Sequence, residues 1–179
     1  MDLDEFLARR AEGEIDFRGV ELADASLPGL DLRSCRLDGA TLANLDLRGA
    51  RLERANLAGA RLVGVDLRGA HGFGVDLSKA TCDRGEFSGA NLHQANLAGA
   101  KLVGVPFRAA QLPGANLNTA DLTRANLRGA NLARADLRGA ILSGTDLTEA
   151  LLDGADFRGT TPPRPSSPAP PGHPGGGPA

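Results

Sequence analysis

The sequence predicts an all-β chain: a solenoid that turns a corner every five residues and closes a four-sided coil every twenty. Three observations carry this. Leu or Phe recurs at every fifth residue from Phe17 to Phe157, in 27 of 29 positions, so the pattern is a register and not a bias of composition. Two residues before these centres, Ala fills 19 of the 29 positions and most of the rest are Val, Leu, Ile or Cys, giving each unit a second apolar residue. Two residues after the centres, Gly fills 17 positions, which places a turn at the end of each unit.

A period of five matches neither the 3.6 of a helix nor an uninterrupted strand. It does match a short extended piece followed by a corner. In an extended piece alternate side chains face the same way. The centre and the residue two before it therefore point inward. The residue between them is mostly Asp, Asn, Arg or Thr and points outward. The remaining two residues form the corner. Pro28-Gly29 and Pro113-Gly114 suit a type II turn, with Pro setting φ and Gly accepting a positive φ.

Four corners close a square, and each coil stacks on the next at about 4.8 Å. The centres then sort into four inward columns. The first face carries Leu57, Leu77, Leu97 and Leu117; the second Leu62, Cys82 and Leu102; the third Leu67, Phe87 and Phe107; the fourth Leu52, Gly72 and Leu92. Each buried Leu or Phe contributes about 1.5–3 kcal/mol, and stability accumulates between neighbouring coils.

The chain divides around this body. Residues 1–14 predict a helical cap, with Leu3, Phe6 and Leu7 on one face and Asp2 or Asp4 at the N-cap. A cover is expected there because a solenoid end exposes an unpaired strand edge. Residues 15–160 form the β-helix. Residues 161–179, with eight Pro, four Gly and no apolar period, predict a disordered tail.

Charge and composition limit the function. Residues 1–14 sum to −3 and the tail to +1, so a chain of net charge −2 has a neutral body. A neutral body has no basic footprint for nucleic acid or for an anionic membrane. The N-terminus, MDLDEFLARR, lacks the apolar run of a signal peptide or membrane span, so a cytoplasmic location is expected. Cys35 and Cys82 point inward more than two coils apart, as small hydrophobes. His71, His93 and His173 have no Cys or carboxylate cluster at metal spacing, so neither metal nor cofactor is expected. No serine has a base or a nucleophile elbow, and a Leu-filled rod offers no pocket. The chain reads as no enzyme, with no catalytic residue.

Three places stand out as candidate sites. Segment 71–86 departs furthest from the repeat. Gly72, Phe73 and Gly74 form either a kink or docking loop, or a packing defect that Phe73 turns inward to fill. Ile141 and Leu151 put apolar side chains at outward positions near the C-terminal end, as a contact between two copies would need. The outward column Asp46, Asp66, Glu86, Asn126, Asp146 forms an acidic ladder, with Arg48, Arg68 and Arg128 beside it to offset the repulsion.

The units ANLAG (55–59), VDLRG (65–69), ANLRG (125–129) and ADLRG (135–139) follow the phrase A-(D/N)-L-x-x. In this phrase the chain resembles the pentapeptide repeat family. The resemblance implies a right-handed quadrilateral β-helix. For function it implies a non-enzymatic scaffold for an unknown protein partner. The alternative it implies is a dimeric rod that mimics duplex DNA, binds DNA gyrase and protects it from quinolones or other topoisomerase poisons. The family's DNA mimics are strongly acidic, whereas this body is neutral, so the scaffold is the expected function.

Overall fold

The structure is a computed structural model that describes residues 1–161; the predicted tail beyond Thr161 lies outside the described residues. Helix α1 (Leu3–Ala11) starts at Asp2, whose carboxylate accepts the Glu5 amide at 2.8 Å. Asp4 and Glu5 in its first turn and Arg9 and Arg10 in its last complement the helix dipole. Phe6 enters the mouth of the first coil and meets Phe17 at 4.5 Å between ring centroids. Leu3 and Leu7 are only partly buried beside it. Arg10 Nε donates to the Asp31 carbonyl at 2.7 Å and ties the helix to the fourth face.

Each β-bridge is parallel and joins residues twenty apart, as in Asp76↔Asn96 and His71↔Asn91. On the second face of the first coils the bridges extend into β1 (Glu21–Ala23), β2 (Thr41–Ala43) and β3 (Arg61–Val63), paired in that order. The backbone bonds within one unit show how the polar main chain is satisfied. Asn96 N–H donates back to Val75 O at 2.9 Å, and Leu97 N–H donates forward to Asn116 O at 2.7 Å. Gly99 N–H donates to Asn118 O at 2.9 Å, and Ala100 N–H closes the corner on Leu97 O at 3.1 Å. Such pairing lets a backbone run beside a dry core.

The corner conformation is imposed at every unit. All 17 Gly two residues after a centre have positive φ, and so do the 12 other residues at that position, including Thr119 (55°) and Arg124 (58°). A non-Gly residue is strained there, so the coil-to-coil bonds overrule local preference. Inside, the columns pack to near-zero exposure from Leu32 to Leu142, while Leu27 in the first coil is partly buried. Thr145 stands where Ala usually does, and its hydroxyl donates to Leu122 O at 2.7 Å, which satisfies an inward polar group. The ladder extends to Thr161, which bridges Ile141.

Of the two readings of segment 71–86, the packing defect filled by an inward Phe73 is not the arrangement found. The bridges Arg51↔His71↔Asn91 pass through it, and Gly72 N–H donates to Asn91 O at 2.7 Å. Phe73 does not turn inward: it is 41% exposed. The volume that a side chain at residue 72 would take is filled by neighbours. An added Cβ would lie 2.9 Å from Leu92 Cδ2 and 3.1 Å from Val75 Cγ1. Gly72→Leu, which restores the residue of the repeat, is therefore expected to destabilise the rod by about 1–3 kcal/mol through overpacking. Urea titration checks this; a gain in stability would show an unfilled void.

The ladder loses a rung between Glu86, at the end of that segment, and Pro106 in the next coil. No bridge joins Glu86 to Pro106, because Pro106 has no N–H to donate. Phe87 and Phe107 stack there at 5.0 Å. Gly85 makes room for them, since a Cβ at that position would lie 3.2 Å from the Phe87 ring.

Candidate functional site

With the interior filled, any site lies on the outer surface. Its commonest device is a clamp between an outward Asp and the Arg two residues later. The strand points both side chains outward and the inward Leu separates them, so the pair closes locally. In Asp46 and Arg48, carboxylate oxygen Oδ1 accepts the Arg48 amide at 3.2 Å and Nε at 2.8 Å, while Oδ2 accepts Nη2 at 2.7 Å. The same arrangement joins Asp31 to Arg33, Asp66 to Arg68, Asp136 to Arg138 and Asp156 to Arg158. Asp16 and Arg18 pair through their side chains, with Nε to Oδ1 at 2.8 Å and Nη2 to Oδ2 at 2.7 Å. Neighbouring rungs add longer contacts, Arg48 to Asp66 and Arg138 to Asp156, both at 3.8 Å.

The guanidinium bond is the main cause that holds these carboxyls below the usual carboxylate range. For Asp156 the value falls to about 2. An Asp whose folded pKa is depressed adds stability that is complete above its unfolded value, about 3.9, and is lost as pH falls through the folded one. The melting temperature is therefore expected to stay level from about pH 8 to 5 and to fall between about pH 4 and 2. Because the pairs are exposed, salt should shrink the fall. Circular dichroism melts with and without 1 M NaCl (roughly a 3 Å screening length) check both parts.

The acidic ladder is accordingly a ladder of pairs. Asp46 and Asp66 are clamped, Glu86 accepts the Ser88 hydroxyl at 2.5 Å, and Asp146 accepts the Thr148 amide at 2.9 Å. Arg128 leaves its own column and reaches Glu149 at 2.8 Å. A second ladder escaped the sequence reading: Asn116 Nδ2 donates to Asn96 Oδ1, and Asn96 Nδ2 to Asp76 Oδ1, both at 3.1 Å. Its signal was available as Asp or Asn at twenty-residue spacing.

Ile141 is 39% and Leu151 55% exposed, on the second and fourth faces of the last coil, so the fold does not bring them together. Gly74 takes the ordinary corner conformation, with φ of 63°. His93 Nδ1 lies 2.8 Å from Asn91 Oδ1. Among the described residues no cluster of His, Cys, Asp or Glu could hold a metal ion; His173 lies outside them. Cys35 and Cys82 are free and buried, and burial pushes the Cys82 thiol up to about 12, which suppresses thiolate chemistry. No helix among the described residues is long and apolar enough to cross a membrane.

A family model described as pentapeptide repeats matches in 8 copies, over residues 15–54, 35–71, 50–81, 73–108, 102–139 and 130–161. Solved structures are also similar. HetL, a pentapeptide repeat protein involved in heterocyst differentiation regulation from the cyanobacterium Nostoc sp. strain PCC 7120, is 29% identical. That alignment covers 89% of this chain and 96% of HetL, with a TM-score of 0.25. The pentapeptide repeat protein Rfr23 from the cyanobacterium Cyanothece 51142 is 26% identical over 88% of this chain and 97% of its own, with a TM-score of 0.29. QnrB1, a plasmid-mediated fluoroquinolone resistance protein, is 18% identical over 82% and 85%, with a TM-score of 0.42. Among curated proteins, none matches the chain.

Proposed function

The chain belongs to the pentapeptide repeat family, and from that premise we propose that it is a non-enzymatic protein-interaction scaffold with that family's right-handed quadrilateral winding. The observation that carries this reading is the division of the rod. Leu and Ala fill the inside to near-zero exposure, so a partner is read by the outer side chains alone. We assign partner contact to Phe73, set between Gly72 and Gly74 on the fourth face. We assign contact between two copies to Ile141 and Leu151 in the last coil. If those two residues hold a dimer, Ile141→Asp with Leu151→Asp converts it to monomer in sedimentation. A wild-type chain that stays monomeric at high concentration removes that contact.

Mimicry of duplex DNA stands second because the clamps neutralise the columns that would have to imitate phosphates. The test pairs cross-linking in cells with a gyrase supercoiling assay on the purified protein. The scaffold reading expects a cross-linked protein partner, no inhibition of supercoiling and no protection from quinolones. Micromolar inhibition that weakens steeply with salt would put the DNA mimic first.

A further inference from the structure

We propose that the second face, between Arg61 and Arg124, is the docking surface for an acidic segment of a partner protein. That segment presents carboxylates about 10 Å apart, one three-residue turn of polyproline II chain, which returns every third side chain to the same side, with apolar side chains between them. This rests on the scaffold reading and names the surface and the chemistry it reads.

The second face differs from the other three in one local respect. A clamp needs Arg two residues after the outward Asp. On this face that position holds Ala23, Ala43, Val63, Asp83, Val103, Thr123 and Ser143, so no clamp can form in any coil. Its cations stand elsewhere. Arg61 and Lys101 lie in the outward column, both bridged to Thr81. Arg84 and Arg124 lie at corners, with φ of 56° and 58°. All four are exposed. None has a carboxylate oxygen within 4.0 Å or a side-chain hydrogen bond among the described residues.

The spacing follows from a recurrence of forty residues. RLVGV at 61–65 returns as KLVGV at 101–105, whereas the intervening and following coils carry TCDRG at 81–85 and DLTRA at 121–125. Cations thus alternate between the column and the corner from rung to rung. Each row repeats every two rungs, or about 9.6 Å. Between the rows stand Val103, 52% exposed, and the half-buried Val63.

An unpartnered cation can exchange water for a ligand carboxylate without breaking an existing ion pair. A clamped Arg on another face would first have to release its Asp. Four cations against Asp83 and Asp121 leave the patch positive on a neutral body. The interspersed carboxylates and the valines favour a peptide with both acidic and apolar groups over a continuous run of phosphates.

The test is a fluorescence anisotropy titration of the intact chain with a labelled probe, the tripeptide Glu-Val-Thr repeated five times (−5 by the ordinary carboxylate pKa), at low salt. Wild type should bind it. Arg61→Glu with Lys101→Glu should weaken binding at least tenfold, and Val103→Asp by a comparable factor. Arg108→Glu with Arg134→Glu changes the charge equally at exposed, unclamped positions of the third and fourth faces, and should alter binding less than twofold. Melting curves show that each variant is folded. Four results would overturn the proposal: no binding by wild type, equal loss in both double variants, equal binding of a probe with Gln in place of Glu, or preference for an oligothymidylate that displaces the peptide. A cross-linked cellular partner fully retained by Arg61→Glu with Lys101→Glu also overturns this surface, while leaving the scaffold reading standing.

Discussion

Leu97→Asp is expected to unfold the middle of the rod, at a cost above about 4 kcal/mol. Leu97 is fully buried in the first column, between Leu77 and Leu117. A carboxylate there has no donor, because the nearby amides are spent on the ladder: Leu97 N–H on Asn116 O and Gly99 N–H on Asn118 O. Turning the charge outward would break those bonds. In a stack held by neighbouring coils a central break is worse than a terminal one, since it leaves two short pieces with new open ends. The matched control is Asn118→Asp, an outward side chain without a hydrogen bond among the described residues, expected to stay within about 0.5 kcal/mol. Asn96 is a poorer control, because it donates to Asp76 and accepts from Asn116. Urea titrations read the difference. Equal stability of the Leu97 and Asn118 variants would disprove the inside and outside assignment.

Phe6→Ala is the second large effect, about 3–5 kcal/mol by the usual cost of deleting a buried ring. Phe6 closes the first coil against Phe17, and its loss opens an apolar mouth to water. The damage should be graded along the rod, because each coil touches only its neighbours. Hydrogen exchange is expected to show lost protection at Phe17 and Gly19, whose amides bond to Arg36 O and Asp38 O. Little change is expected at Leu117. Uniform loss along the chain would mean that the rod unfolds as one unit.

Most of the fold was legible because its rules are local. Alternation within an extended piece places Leu97 inward and Asn96 outward, and five residues suffice to see it. The Asp-x-Arg clamp is equally local, so Asp46 and Arg48 could be paired from their spacing. The helical cap was legible too, and the structure selects Asp2 over Asp4 as its N-cap.

The remaining features depend on residues twenty apart, which meet only after the chain has coiled. Gly72 could be read as a kink or as a void, but Leu92 from the next coil and Val75 from the next unit fill the space, and Phe73 stays outside. Segment 71–86 departs furthest from the repeat, but its one missing rung, at Glu86, is caused by Pro106 one coil later, because each bond of the ladder belongs to a pair of coils. Thr119 and Arg124 have no local preference for positive φ, but forward bonds to Arg138 O and Ser143 O hold them there. Sequence alone settles the period, the columns and the order of coils, because those are set by hydrophobic alternation and turn chemistry. Stacking sets which charges meet across coils, as Arg36 meets Asp16 and Arg128 meets Glu149, and where the ladder breaks, because each depends on the chemistry of the rung above and the rung below.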